Sequence, residues 1–354
     1  MATTHTIYIY MTSLSLTCVY HHTLCLQIVM FPGHTSRMIS KLKMVVFLLC
    51  ATGIGVYFKT GYHLTYYAVD QKLCACTKCL SEDKQLLLDR SNRSVQPFLT
   101  ANLNLSENEF NWWKRLQTES RSFGVYETTV ANFFKIFPRN PDVIQPKPDH
   151  CRTCAVVGNS GNLRRSHYGP LINLHEVVIR MNTGITRGFE KDVGNKTTHR
   201  VMYPESAVDV DDNTHFVLFP FKIQDFEWLI NASTTGFTGR SYMPVKSKIK
   251  TNKDLVMVVN PAFMKYVHEV WLGNKGRYPS TGFMALILAL HICDEVNVFG
   301  YGADSDGNWS HYWEILTNKG LRTGVHPGSY EYNIIQQLDQ QQKIKFYEGL
   351  TKKM

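Results

Sequence analysis

In the second half of the chain, short apolar runs alternate with amphipathic or polar stretches. Residues 155–157, 177–180, the run around Val201, 216–219, 255–259 and 296–299 are too short for helices. They are also too evenly apolar for strands with one wet face, so the pattern predicts strands buried on both sides. Between them, 262–272 places Phe263, Tyr266, Val267 and Val270 on one helical face. Residues 283–292 read as an apolar helix capped by Ser280 or Thr281, far too short to cross a membrane. Upstream, 86–117 mixes helical spacing with polar breaks, and Trp113 suits a core position better than a binding one. Pro138, Pro141, Pro146 and Pro148 make 137–150 an extended connection. This alternation predicts one α/β domain over residues 74–354, with a largely parallel sheet flanked by helices.

A different pattern governs the N-terminal part. Residues 44–58, MVVFLLCATGIGVYF, carry no charge and are bracketed by Lys41, Lys43 and Lys59. Fifteen helical residues rise about 22 Å, short of a typical span, but thin early-secretory membranes accept shorter segments. Tyr62, Tyr66 and Tyr67 follow as interfacial aromatics, and no small-residue cleavage site is evident. Arg37, Lys41 and Lys43 stand before the segment against one lysine after it, which keeps the N-terminus cytoplasmic. The reading is a cytoplasmic tail over 1–43, a signal anchor over 44–60, a short stem over 61–73 and a lumenal domain from 74. Residues 11–31 are mildly apolar but interrupted by His21 and His22, and resemble neither a second span nor a domain.

A net charge of +9 raises the question of nucleic acid, but the basic residues are scattered without a dense run, so no nucleic-acid partner is expected. A substrate bearing phosphate and carboxylate is a sufficient partner for this excess. Six cysteines follow the anchor: Cys74, Cys76, Cys79, Cys151, Cys154 and Cys293. An even number in a lumenal segment suits three disulfides, while the spacing of Cys76-x-x-Cys79 and Cys151-x-x-Cys154 leaves a zinc site as the alternative. Glycosylation triplets occur at Asn92, Asn104, Asn195, Asn231 and Asn308, the last inside a candidate site segment where modification is not expected.

The stretch from Cys154 to Asn182, CAVVGNSGNLRRSHYGPLINLHEVVIRMN, joins two apolar strands through a small-residue turn. Its glycines permit close backbone approach, and its amides offer both donors and acceptors. Such strand-to-loop junctions hold nucleotides in α/β sheets. Four further segments stand in order behind it: Arg277-Tyr278-Pro279-Ser280-Thr281-Gly282, Gly300-Tyr301-Gly302-Ala303-Asp304, His311-Tyr312-Trp313-Glu314, and His326 with Glu331 five residues on.

Together these segments resemble the sialylmotifs of the eukaryotic sialyltransferases, in the family's order, and the likeness runs from about Cys74 to the C-terminus. Within the family it points to the branch that sialylates beta-galactosides through an alpha-2,3 linkage on Gal-beta-1,3-GalNAc. The resemblance implies a Rossmann-like, GT-A-like variant fold and disulfides Cys74–Cys79, Cys76–Cys151 and Cys154–Cys293. It also implies inverting transfer of N-acetylneuraminic acid from CMP to a galactose 3-hydroxyl, in the Golgi, on a single-pass type II membrane protein. Expected partners are CMP-sialic acid and galactose-terminated O-glycans of glycoproteins.

Residue by residue, the resemblance makes His326 the catalytic base and His311 the histidine that contacts phosphate. Asn159 and Asn182 match nucleotide-binding positions, and Tyr203 and Tyr242 match hydroxyl donors to the donor phosphate. Tyr278, Ser280, Thr281 and Gly282 fall at the donor site, where a helix N-terminus suits an anion. Gly302 closes the cytosine side, and Gln117 matches the contact to acceptor galactose. Glu331 is expected to support His326. No cofactor or metal is expected: Asp209-Val210-Asp211-Asp212 sits in a polar loop, and a monophosphate leaving group is served by His and Tyr donors. Two alternatives stand beside this reading: a sister enzyme preferring glycolipid acceptors, or a silent lumenal protein that binds nucleotide sugars or glycans.

Overall fold

The computed structural model describes residues 9–12, 15–18, 47, 49, 50, 52, 74–77, 79, 80, 95–141, 147–304, 306–315 and 323–349. Residues 1–70 and 71–354 form separate units. In the first, β1 (Ile9–Thr12) pairs antiparallel with β2 (Ser15–Cys18), and Phe47, Leu49, Cys50 and Thr52 are helical and exposed. Nearly all of the expected anchor and stem therefore lies outside the described residues. Among the described residues no helix is long and apolar enough to cross a membrane.

The second unit is built on seven parallel strands: β3 (Thr153–Val157), β4 (Val177–Met181), β5 (His199–Met202), β6 (His215–Leu218), β7 (Val256–Val258), β8 (Glu295–Phe299) and β9 (Lys345–Tyr347). Their order in the sheet is β7-β6-β5-β4-β3-β8-β9. The chain steps outward from β3 to β7, then crosses back to lay β8 on the other side of β3. That reversal between β3 and β8 is a topological switch point, which opens a crevice at the carboxyl ends of the strands. The inner strands are buried along almost their whole length, as expected when helices cover both faces.

Helix α7 (Thr281–Ile292) packs against β3, β4, β5 and β8, and its sequence explains why. TGFMALILALHI is apolar all round, so no face can be left to water, and Phe283 to Leu290 are buried without exception. On the far edge, α1 (Glu107–Trp113) and α2 (Phe123–Phe133) pack on α6 (Pro261–Tyr266) and α5 (Ile223–Ala232), respectively, while the short α3 (Gly169–Asn173) and α4 (Glu190–Val193) pack on each other. Trp113 is fully buried, and its indole N–H donates to the Pro220 carbonyl at 2.7 Å. Phe110, Tyr126 and Phe226 surround it, so the aromatic run serves the core.

One prediction of a helical face fails. Regular α-helix stops at Tyr266, and Val267–Trp271 forms a wider π-turn, which leaves Val270 46% exposed while Phe263, Tyr266 and Val267 stay buried. The larger number of residues per turn rotates Val270 off the apolar stripe.

The structure contains disulfides Cys74–Cys79, Cys76–Cys151 and Cys154–Cys293. The two Cys-x-x-Cys pairs are consumed in these bridges, so the zinc alternative has no free thiolates. The third bridge ties β3 to the end of α7, bracing the strand that leads into the crevice.

Candidate active site

A cleft of about 410 Å³ lies at the carboxyl ends of the strands, within the size range of small-molecule sites. Every cleft residue expected from the sequence lines it: Gln117, Asn159, Asn182, Tyr203, Tyr242, Tyr278, Ser280, Thr281, Gly282, Gly302, His311 and His326. Four strand ends supply one wall, because β3 runs into Asn159, β4 into Asn182, β5 into Tyr203 and β8 into Gly302.

Gly158 and Gly302 are glycines for steric reasons. A Cβ on Gly158 would meet the Gly300 carbonyl oxygen at 2.2 Å. Gly302 has φ of +91°, and a Cβ there would meet the Tyr332 ring at 2.5 Å. Asn182 also sits in the left-handed region at φ of +54°, which asparagine tolerates better than most residues. Its side-chain oxygen accepts from Ser206 at 2.9 Å, and Arg200 holds its carbonyl at 3.0 Å from below. The Asn159 amide donates to the Met181 carbonyl, which aligns the two strand-end asparagines beside each other.

Opposite them, Ser280 caps α7 by accepting from the Phe283 amide at 3.0 Å. The first-turn amides of that helix have no intrahelical acceptors and so favour an anion. Glu331, in the first turn of α8 (Gly328–Gln340), accepts from the Ser280 amide at 2.7 Å and from its hydroxyl at 2.6 Å. This corrects the expected pairing of Glu331 with His326, because the carboxylate reaches across to the start of α7 instead. Burial outweighs those hydrogen bonds and pushes the Glu331 carboxyl up to about 7.

His326 sits in the turn before α8. Its Nδ1 lies 3.1 Å from the Tyr278 carbonyl, and its ring meets the Tyr278 ring edge-on at 5.0 Å. A carbonyl can only accept, so Nδ1 carries the proton and Nε2 keeps its lone pair. Burial lowers its pKa below the ordinary histidine value and outweighs the opposing carbonyl bond, which favours the neutral ring.

His311 is held differently. Its Nδ1 and backbone N–H contact the two Glu314 carboxylate oxygens at 2.6 and 3.0 Å, and its ring stacks on Trp313 at 4.6 Å. Burial raises the Glu314 pKa, but the His311 bonds outweigh it and leave that carboxyl below its usual range. The segment carrying His311 pairs with the 159–161 turn, through the Tyr312 amide to the Asn159 carbonyl and the Gly161 amide to the Ser310 carbonyl. The buried Asn308 side chain is turned to Asp304.

Partial burial raises the Tyr203 phenol pKa, and the more exposed Tyr242 phenol is raised by partial desolvation and the nearby Glu205 carboxylate, so both remain hydroxyl donors at neutral pH. Gln117 accepts from Lys222 Nζ at 3.2 Å through its side-chain oxygen, which leaves its amide N–H groups as the free end. Lys222 in turn lies between Glu205 at 3.1 Å and Asp225 at 2.7 Å. By contrast, none of the acidic loop residues lines the cleft. Asp209 pairs with Lys246 at 2.8 Å, Asp211 accepts from Thr214, and Asp212 faces Lys250.

Sequence reasoning did not single out Tyr301, Tyr332, Trp309 or Thr323, which also line the cleft. Tyr301 donates to the Gly282 carbonyl at 2.7 Å and so joins the β8 end to the start of α7. Its place between two glycines of a motif was the available signal. Tyr332 had none, because only the close approach of α8 to Gly302 makes it part of the site.

Residues 98–343 match the sequence pattern of glycosyltransferase family 29, the sialyltransferases. The chain is 46% identical over 282 residues to CMP-N-acetylneuraminate-beta-galactosamide-alpha-2,3-sialyltransferase 1 of Sus scrofa, covering 78% of this chain and 82% of that protein. It is 44% identical over 287 residues to the Homo sapiens protein of the same name, covering 79% and 84%. The crystal structure of a mammalian sialyltransferase superposes with a TM-score of 0.73 at 46% identity, covering 78% of this chain and 99% of that one. A mammalian sialyltransferase in complex with Gal-beta-1-3GalNAc-ortho-nitrophenol gives 0.71 at 45% identity, covering 78% and 100%. With the motif residues gathered in one cleft and the likeness running through the whole domain, this chain belongs to glycosyltransferase family 29, the sialyltransferases.

Proposed function

We propose that this protein transfers N-acetylneuraminic acid from CMP-N-acetylneuraminate to the 3-hydroxyl of terminal galactose in Gal-beta-1,3-GalNAc, with inversion at the sialic acid anomeric carbon. The observation that carries the reading is the orientation of His326: Nδ1–H is spent on the Tyr278 carbonyl, leaving a neutral Nε2 as base in the cleft. His326 Nε2 takes the galactose hydroxyl proton as that oxygen bonds to the anomeric carbon. The bond from that carbon to the phosphate oxygen breaks, and CMP leaves with the electron pair. His311 has Nδ1 turned to Glu314, so Nε2 is the nitrogen available to the departing phosphate, alongside the Tyr203 and Tyr242 hydroxyls. Asn159, Asn182 and Gly302 hold the nucleotide, the start of α7 holds its charge, and Gln117 donates to the acceptor sugar. No metal takes part, and His, Tyr and helix-end donors carry the electrostatic stabilisation.

The same reading places the protein in the Golgi membrane as a single-pass type II protein, with tail 1–43, anchor 44–60, stem 61–73 and lumenal domain 74–354. The exposed, helical Phe47 and Leu49 support an apolar helix there. CMP release from CMP-N-acetylneuraminate, measured with and without Gal-beta-1,3-GalNAc and with excess EDTA, tests the reaction. Acceptor-dependent release that survives EDTA is expected. Release that ignores the acceptor, or that returns only with manganese, overturns the proposal.

A further inference from the structure

A second recess, of about 510 Å³, continues from the cleft past Gln117, Tyr242 and Tyr278, which line both spaces. Its other walls include Lys222, Arg240 and Arg277. If the galactose sits at Gln117 as proposed above, the nucleotide end of the cleft is occupied by the donor. The reducing end of the acceptor then leaves past Tyr242 and Tyr278, into this recess.

The charges there are unevenly matched. Lys222 is neutralised by the buried carboxylates of Glu205 and Asp225, and Ser241 also donates to Glu205. Arg240 and Arg277 are exposed and, among the described residues, have no carboxylate within ion-pair distance. Their backbones are nonetheless anchored. The Gln224 side chain donates to the Arg240 carbonyl at 2.7 Å, and the Arg277 amide donates to the Val325 carbonyl at 3.1 Å, next to His326. Two positive side chains thus come from separate loops to one recess, each fixed at its base and uncommitted at its tip.

We infer that this recess binds the aglycone of the acceptor and favours a glycopeptide with aspartate or glutamate beside the glycosylated residue. The inference rests on the proposed reaction and names its acceptor class. A guanidinium fork suits a carboxylate, and two partly exposed pairs account for a preference of about fivefold.

The test compares peptides bearing Gal-beta-1,3-GalNAc with flanking glutamates, or with glutamines in their place, and the free disaccharide. In the wild-type chain the acidic peptide should show a KM about fivefold lower than the neutral one, with the gap closing at high salt. In the R240Q/R277Q variant the gap should vanish, while KM for the free disaccharide and CMP affinity stay unchanged. Equal KM for acidic and neutral peptides in the wild type overturns the inference. So does a variant that weakens all acceptors alike, or one that changes only transfer to a glycolipid in anionic vesicles, which would point to a membrane surface instead. Fluorescence-polarisation binding of the same peptides to CMP-loaded protein separates the two claims. Charge-dependent binding without transfer sustains the recess and removes the reaction, whereas transfer without charge dependence does the reverse.

Discussion

The two histidines illustrate how one residue type takes different work from its hydrogen-bond partner. His326 faces a carbonyl and is half-buried, and desolvation favours a neutral ring with a lone pair to offer. His311 faces a carboxylate on a stacked, half-exposed ring, an arrangement suited to donating toward phosphate. Replacing His326 with alanine should lower kcat by roughly 100-fold or more while calorimetry shows CMP binding intact. His311→Ala should weaken CMP binding as well as slow turnover, and the opposite division would reverse the roles. Because the base acts when neutral, activity should fall as pH drops through the His326 pKa. The acid limb of kcat/KM should therefore have its midpoint below the ordinary 6.5, and an acid midpoint above that value would contradict the base role. Gln117 makes a separate prediction. Gln117→Glu keeps the contact with Lys222 but removes the amide donor, so acceptor KM should rise about tenfold, with CMP affinity unchanged. A loss of CMP affinity in that variant would instead place Gln117 with the donor.

Among the elements, the meeting of α7 and α8 has the largest consequence for the site. Glu331 from the first turn of α8 holds both polar groups of Ser280 at the cap of α7, so two helix N-termini are fastened together at the cleft. Its carboxyl sits at about 7 in the folded chain against the ordinary glutamate value of 4.5, so folding binds a proton between those limits. The stability that this contributes is full below about 4.5 and lost as pH rises through about 7. Glu331→Gln mimics the protonated form and should flatten the decline in melting temperature across that window. An unchanged decline would show that Glu331 does not titrate there. Element identity was legible unevenly. The helix α7 could be read directly, since twelve residues of near-uniform apolarity after a serine cap leave little alternative. Helices α2 and α8 and strand β9 could not, because their burial is supplied by partners distant in sequence. The π-turn at Val267–Trp271 was hidden for a related reason: apolar spacing does not reveal a change in residues per turn.

For the molecule as a whole, the bridge between Cys154 and Cys293 spans 139 residues and closes β3, the strand at the switch point, onto the end of α7. Replacing either cysteine with serine should cost about 2–5 kcal/mol in denaturant unfolding. Free thiols at both positions in active secreted protein would remove that expectation. The sequence by itself determined the alternation of buried strands and helices, because apolar runs of that length can satisfy their surroundings only between two layers. It also determined which small and polar residues stand at the strand ends, since motifs such as Gly158-Asn159-Ser160 and Gly300-Tyr301-Gly302 are local in the chain. Tertiary structure alone decided how those motifs meet. The return of the chain from β7 to β8 brings residues 159 and 302 to one crevice, and the approach of α8 supplies Tyr332. It also decided that Glu331 serves Ser280 rather than His326, and that Arg240 and Arg277 share a recess. The physical reason is common to all of these: hydrogen bonds and burial depend on distance in space, and periodicity along a chain reports only the face each residue presents.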